Sequence, residues 1–261
     1  MADFSAVINS VPPVTRALLA ATAVVTIPCL LGLISPASVA LIWPRVLRKY
    51  EVWRPLTSFF FGGSGFPLIY DFFLIYRNSS AMEREVYRND TAEYAWLHLM
   101  LGILIATFNS LVGLPFLFRP LLHAQTYVWC RANPTVKVSI FGLLTIPTSL
   151  YPPALIFLDL LTGGPMKALG GILGLLSGHL WWFISTYLPL HAPTHLRRPN
   201  PLAPPVRFRA LFGPSSHAST GYRTYRPEAR STATAANNPS AAAAMRHRWG
   251  GSGQRLGGSA L

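Results

Sequence analysis

The sequence predicts an all-α, polytopic membrane protein with a basic C-terminal tail, and three observations carry this prediction. Of its 261 residues, 51% are hydrophobic and 12% are charged, whereas soluble domains carry about 25% charged residues. Six apolar segments recur in the first 190 residues. The formal net charge of +13 is concentrated beyond them.

The six apolar segments approach the roughly 20 helical residues that cross about 30 Å of hydrocarbon. We expect a kink at Pro28 in the first of them. Some segments are short and several contain polar residues, so long, uniformly apolar helices are not predicted. The predicted spans cover about residues 14–35, 56–76, 95–113, 115–130, 138–161 and 168–190, and their polar residues include Asp71, Asn109, His123, Asp159 and His179.

The first apolar segment has an alternative interpretation as a cleaved signal peptide. Residues 37–40, Ala-Ser-Val-Ala, resemble a small-residue cleavage site. The apolar stretch is too long for a signal peptide, however, and Arg16 is the only basic residue at its start. We therefore interpret it as an uncleaved first span.

The tail, residues 191–261, is predicted to be disordered. It carries ten arginines against the single acid Glu228, a net charge of +9. It is rich in Pro and Ala and lacks apolar periodicity, so it cannot bury enough surface to offset the entropy of ordering. Its charge favours an anionic leaflet, which makes membrane lipid an expected partner. Its arginines are scattered and predict no folded basic face, so nucleic acid is not expected.

The predicted topology places both termini in the cytosol. An even number of spans returns the chain to the side from which it started. A strongly basic segment resists translocation and marks the cytosolic side of a membrane. The basic tail therefore predicts that the N-terminus lies on the cytosolic side as well.

Four stretches of the sequence resemble the Derlin family, the rhomboid pseudoproteases of the endoplasmic reticulum. They are EVWRPLTSFFFGGSGF, YRNSSAMEREVY, YVWCRANP and GLLSGHLWWF. The resemblance covers about residues 5–190 and implies a six-span rhomboid-like bundle in residues 1–190. Its strongest elements are Glu51, Trp53, Arg54 and Thr57 followed by Gly62 and Gly63, and the trio Gly174, Gly178 and His179.

These motif residues also have a physical interpretation of their own. Trp53 suits a position at headgroup level, and the adjacent Arg54 can reach lipid phosphates or loop carbonyls; a generic aromatic belt is the alternative. Gly170, Gly174 and Gly178 recur every four residues, which lines one helix face and lets another backbone approach closely.

The Gly-Gly-Ser-Gly at residues 62–65 raises the question of whether Ser64 is a nucleophile. Rhomboid proteases use a serine on the fourth helix and a histidine on the sixth. His179 matches that histidine, but residues 111–138 contain no serine. The resemblance therefore implies no catalytic residue, and we expect neither a metal site nor a cofactor, because His123 and His179 lack a second ligand at helical spacing. An active intramembrane serine protease is the alternative.

The last residues, MRHRWGGSGQRLGGSAL, resemble the ATPase-binding box at the ends of some Derlins. The box covers about residues 245–258 and follows a flexible Ala-rich tether. An apolar anchor residue and glycines at the end of a disordered segment are typical of a peptide that a partner protein recognises. The residues that match the box are Trp249, Gly251, Gly253, Arg255 and Leu256.

The resemblance implies a function in degradation associated with the endoplasmic reticulum. The protein would aid the retrotranslocation of misfolded lumenal or membrane proteins. Through its box it would recruit the AAA segregase ATPase known as valosin-containing protein. A ubiquitin-ligase complex of the same membrane is a further partner that the resemblance admits.

Overall fold

The computed structural model describes residues 9–88, 90–140 and 144–212, all of which belong to one compact unit, Met1–Tyr225. The fold is mostly helical. Its longer helices are α1 (Pro13–Leu30), α5 (Phe66–Ala81), α6 (Thr91–Val112), α7 (Phe118–Ala132) and α8 (Tyr151–Trp182). Its shorter helices are α2 (Pro36–Val39), α3 (Trp43–Lys49), α4 (Arg54–Thr57) and α9 (Val206–Ala210), and π-helical turns at Met82–Val86 and Phe183–His191 extend α5 and α8.

Helix α8 is a pair of antiparallel arms that meet at Gly164. This glycine has φ 73° and is followed by Pro165; the left-handed conformation suits glycine and the proline suits a helix start. The contact between Gly171 and Ile156 shows that the two arms run antiparallel. The first arm, 151–163, and the second arm, 165–182, correspond to the fifth and sixth predicted spans.

Three helical segments are long and apolar enough to cross a membrane within the described residues. They are Pro13–Leu30, Thr91–Val112 and Tyr151–His191, the last of which contains the break at Gly164. Six crossings would also need α5 and α7, which have 16 and 15 residues and are about 24 and 22 Å long.

The prediction of an all-α protein is wrong for residues 137–140 and 144–147. Strand β1 (Lys137–Ile140) pairs antiparallel with β2 (Leu144–Pro147), with Val138 opposite Ile146. The fifth span was predicted to begin at residue 138, but α8 begins only at Tyr151. A short apolar run that is rich in β-branched residues suits a strand as well as a helix, and periodicity alone does not separate the two.

The second predicted span, 56–76, is also shifted, because α5 covers Phe66–Ala81. The chain after α4 forms a loop up to Gly65, whose φ of 77° excludes it from a helix. Pro67 then occupies the first turn of α5, where its missing N–H costs nothing. At its C-terminal end, α5 continues past residue 76, where the predicted span ends, to Ala81. This part of the helix contains Asn78 and Ser79, which are both buried.

The core forms around α6. Tyr94, Leu97, Leu101 and Ile105 are fully buried at helical spacing. Large apolar side chains cover the outer faces, among them Val24, Leu111 and Leu161. An apolar exterior of this extent indicates a lipid environment.

The start of the predicted tail packs on α6. The Trp96 indole N–H donates to the Leu202 carbonyl at 2.9 Å, and the Trp96 ring contacts Phe208. Arg209 forms ion pairs with Asp90 and Glu93. The ordered fold therefore extends past residue 190 to at least Phe212.

The backbones of α7 and the second arm of α8 approach each other closely, with little side-chain volume between them. A Cβ on Gly174 would lie 2.1 Å from the Pro120 carbonyl oxygen, and one on Gly178 would lie 2.8 Å from the Ala124 carbonyl oxygen. Real Cβ atoms do not come this close to backbone, so only glycine permits this spacing of the two helices. This is the backbone approach that small residues every four positions favour in membrane bundles.

We predict that Gly174→Ala lowers the free energy of unfolding by about 1–3 kcal/mol, because one methyl group overpacks the contact with Pro120. The matched control is Gly102→Ala in α6, where a Cβ would meet Phe59 at an ordinary 3.9 Å. Unfolding of the full chain in detergent micelles measures both variants. Equal stability of the two variants would contradict the proposed close packing.

Candidate functional site

A cluster of charged side chains lies between α5, α7 and α8, and we call it the charged cluster. Arg119 forms ion pairs with Asp71 of α5 and with Asp159 of the first arm of α8. His123 Nε2 lies 2.6 Å from Asp159, and Lys167 Nζ lies 3.6 Å from the same carboxylate. The cluster thus connects three helices through side chains alone.

The charged cluster is electrically balanced. Two carboxylates, Asp71 and Asp159, meet the two cations Arg119 and Lys167, and both carboxylates are buried. Such charges are costly inside a membrane protein unless they pair. The planar guanidinium of Arg119 can serve two carboxylates at once, which a lysine ammonium does less specifically. Among the described residues, Arg119 Nε and His123 Nδ1 have no hydrogen-bond partner, so the cluster retains unused donor or acceptor capacity.

The charged cluster lies at one end of the bundle. Arg119 is the second residue of α7, Asp71 lies in the first half of α5, and Lys167 follows the break of α8. Within the described residues, no extended backbone packing joins α5 directly to α8. The ion pairs of Arg119 therefore bridge a seam between these two helices.

A second polar network lies at the opposite end of the bundle, around Glu83. Its carboxylate accepts hydrogen bonds at 2.9 Å from the backbone N–H groups of Val14 and Thr15. These groups lie in the first turn of α1, so Glu83 caps that helix from a distant part of the chain and complements its dipole. The network continues through Ser79 to the Tyr94 hydroxyl at 2.8 Å.

The stretch YRNSSAMEREVY thereby has a physical role that sequence reasoning did not assign. Ser79 also lies 2.8 Å from the Thr15 hydroxyl. Asn78 donates to Thr126 of α7 at 3.1 Å. One turn of α5 and its π-helical extension therefore fix α1, α6 and α7 together.

The predicted motif residues of the first loop, residues 31–65, form an anchor. Arg54 is buried, and its Nη1 donates to the carbonyls of Ala37 and Ala40 at 2.7 and 2.8 Å. Its Nε pairs with Glu51. Lipid phosphates and loop carbonyls were the two predicted partners of Arg54, and the structure shows loop carbonyls.

The other motif residues of this loop lie close to the anchor. The Thr57 hydroxyl donates to the Val39 carbonyl at 3.2 Å, while Trp53 is half exposed. The Gly62 N–H donates to Thr26 of α1 at 3.0 Å. Gly63 has φ 84° and open space around its α-carbon.

Ser64 lies exposed in the loop before α5. Among the described residues, no histidine or carboxylate forms a hydrogen bond with it. His179 instead meets α7, where the Tyr127 hydroxyl lies 2.6 Å from its Nδ1. Arg131 Nε donates to the same hydroxyl at 2.9 Å.

Sequence reasoning named Asp71, His123 and Asp159 as polar residues of spans but did not bring them together. It missed Arg119 and Lys167 altogether. The available signal was the presence of charges of opposite sign in neighbouring apolar segments, because intramembrane charges rarely remain unpaired. The described residues contain no group of three or more His, Cys, Asp or Glu side chains placed to hold a metal ion.

The predicted ATPase-binding box, residues 245–258, lies outside the described residues. So do its members Trp249, Gly251, Gly253, Arg255 and Leu256. The box stays a prediction.

Comparison with known proteins agrees with this mostly helical, apolar-surfaced fold. The Der1-like family matches residues 11–199. Derlin-1 of Arabidopsis thaliana is 31% identical over 186 residues, which cover 70% of this chain and 69% of the relative. Derlin-1 of Oryza sativa subsp. japonica is 31% identical over 189 residues, covering 70% and 76%. Derlin-2.1 of Arabidopsis thaliana is 28% identical over 217 residues, covering 78% and 86%.

A mostly helical, multi-pass membrane protein is the class that the apolar helices define. The chain belongs to the Der1-like family. The resemblance to Derlins that the four sequence stretches indicate is therefore confirmed.

We predict that Arg119→Gln destabilises the bundle by about 3–5 kcal/mol, because it leaves the buried carboxylate of Asp71 without its cation. The double variant Arg119→Gln/Asp71→Asn should recover most of this loss, since it removes the unpaired charge. Arg48→Gln on the exposed face of α3 is the control and should change little. Unfolding in lipid–detergent bicelles measures all three. A double variant no more stable than the single variant would argue against the pairing.

Proposed function

We propose that this protein is a non-catalytic component of degradation at the endoplasmic reticulum that helps misfolded lumenal or membrane proteins to leave that compartment. The observation that carries the proposal is membership of the Der1-like family over residues 11–199. In this proposal the chain is a six-span, rhomboid-like bundle of the endoplasmic reticulum membrane, with α5, its π-helical extension and the short helix α7 among its spans.

The length of α7 supports a role in moving polar polypeptide through a membrane. Its 15 residues span about 22 Å, which falls short of the roughly 30 Å hydrocarbon thickness. A short helix thins the bilayer around it. Because a charged residue costs about 2.5–3.5 kcal/mol at the membrane centre on insertion scales, a thinner bilayer lowers the barrier for a client.

The charged cluster supports the same proposal. It places paired charges at the seam between α5 and α8, where the two backbones make little contact and side chains join the helices. A polar client segment that separated these helices would meet groups able to replace the bonds that it breaks. The seam is therefore the part of the bundle at which we place client contact.

The basic tail supports cytosolic termini. Arginines such as Arg197, Arg198, Arg207 and Arg209 follow α8 and its π-helical turn and match the cytosolic preference of basic segments. From the cytosolic side, the box at residues 245–258 would recruit valosin-containing protein. A ubiquitin-ligase complex would supply marked clients. The free energy for extraction then comes from ATP hydrolysis by the partner.

The alternative function, an active intramembrane serine protease, would require Ser64 to meet a base. The exposed loop position of Ser64 and the contact of His179 with Tyr127 support the non-catalytic proposal.

We predict that Ser64→Ala degrades a misfolded lumenal client at the wild-type rate in cells that lack their own Der1-like proteins. The reason is that no base lies beside this hydroxyl among the described residues. Pulse-chase of the client measures the rate, and the empty vector gives the lower limit. Labelling of Ser64 by a fluorophosphonate probe, lost in the alanine variant, would instead support the protease.

We predict that deletion of residues 245–261 abolishes recovery of the ATPase with the solubilised chain, because interface energy concentrates in a few aromatic and apolar anchors. The double replacement Trp249→Ala/Leu256→Ala should lose most of it as well. Arg248→Gln/Arg255→Gln is the matched control and should alter mainly the salt dependence. Unchanged membrane insertion shows that the bundle is intact, and equal recovery by intact and truncated chains would refute recruitment through the box.

A further inference from the structure

A groove of about 520 Å³ lies between α5, the C-terminal end of α7 and the β-hairpin. Tyr70, Phe73 and Trp129 form its aromatic walls, and Arg77 and Lys137 supply its charge. No aspartate or glutamate lines it. We call it the aromatic–basic groove.

Arg77 is held in place with its charge uncompensated by any acid in the described part of the chain. Its guanidinium carbon lies 5.8 Å from the Phe73 ring centroid, 5.4 Å from that of Trp129 and 5.6 Å from that of Tyr151. It donates to the Asn78 side-chain oxygen at 3.1 Å and to the Tyr151 hydroxyl at 3.2 Å. Rings and neutral oxygens orient a guanidinium without neutralising it.

Lys137 provides a second cation from another element that lines the groove. It is the first residue of β1 and is exposed. An exposed lysine and a fixed arginine in one groove can both contact the same anion. Guanidinium and ammonium groups together are a common means of binding phosphate.

The groove is placed at a membrane boundary. Arg77 lies one turn before the end of α5, Trp129 one turn before the end of α7, and Tyr151 begins α8. Trp and Tyr are enriched at headgroup level, as are Lys and Arg. This is the end of the bundle from which the tail emerges, and a cytosolic leaflet is the more anionic one.

The groove also continues onto a lipid-facing surface. On the outer face of α5, Ile69 is 68% exposed, Phe73 53% and Tyr76 45%, at the spacing of one helix stripe. A free phosphate would use only the cationic part of this surface. A phospholipid would use both parts, because its acyl chain can lie along the stripe while its headgroup enters the groove.

We propose that the aromatic–basic groove binds an anionic phospholipid, with the phosphate between Arg77 and Lys137 and an acyl chain along Ile69 and Phe73. The site is separate from the charged cluster and does not depend on the proposed role in degradation. Lipid bound there bridges α5 to the β-hairpin and the start of α8.

Native mass spectrometry of the full-length, detergent-purified chain tests this proposal with two lipids of identical acyl chains, phosphatidylinositol and phosphatidylcholine. The wild type should retain phosphatidylinositol preferentially. Lys137→Gln should lower the preference about five-fold, and Arg77→Gln/Lys137→Gln should lower it further, as each cation near an anionic surface contributes about that factor. Lys137→Gln lies on an exposed strand end, so it reports on binding even if Arg77→Gln impairs folding.

The matched control is Arg48→Gln/Lys49→Gln, which removes the same two charge types from exposed positions of α3 and should keep the preference. Inositol 1-phosphate in large excess separates lipid from soluble phosphate and should not displace the lipid. Equal retention of both lipids by the wild type, an equal loss in the α3 control, or displacement by inositol 1-phosphate would each overturn the proposal.

Discussion

The pairing of Arg119 with Asp71 and Asp159 is the interaction on which the arrangement of the helices depends. Helices α7 and α8 pack through glycine, and α5 packs on α1 and α7. The backbones of α5 and α8 make little contact, and these two helices meet through side chains such as Arg77 and Tyr151. A buried carboxylate tolerates an apolar environment only with a partner. Any arrangement that moved α5 away from α7 would leave Asp71 unpaired. The ion pair therefore fixes the position of α5 relative to α7 and α8.

The bundle is polar where its helices meet and apolar where it faces outward. Arg119 and Glu83 mark the two ends of this polar interior, and their ligands come from α1, α5 and the first arm of α8. Polar contacts of this kind hold a unique geometry, but unlike close apolar packing they can be exchanged for contacts with another polar chain. This exchange of polar partners is what the proposed contact of a client with the seam requires.

The length of the apolar segments was sufficient to predict α6 and the second arm of α8, and the four-residue spacing of glycines indicated which face of that arm meets a neighbour. It failed at residues 137–140 and 144–147, where short runs that contain β-branched and apolar residues are compatible with both helix and strand. The ligands of Glu83 lie 68 and 69 residues away in sequence. A local pattern contains no information about which distant carboxylate will cap a helix, because that choice depends on how the helices pack.

The contact between α7 and α8 agrees with the proposed non-catalytic role. Gly174 and Gly178 bring the two backbones into close contact. The side chain that faces His179 is Tyr127, and Arg131, whose guanidinium carbon lies 4.1 Å from the Trp182 ring centroid, donates to the same hydroxyl. His179 and Tyr127 are thereby engaged in the contact between the two helices. Close backbone packing favours a rigid pair of helices, and from this pair Arg119 reaches Asp71 of α5.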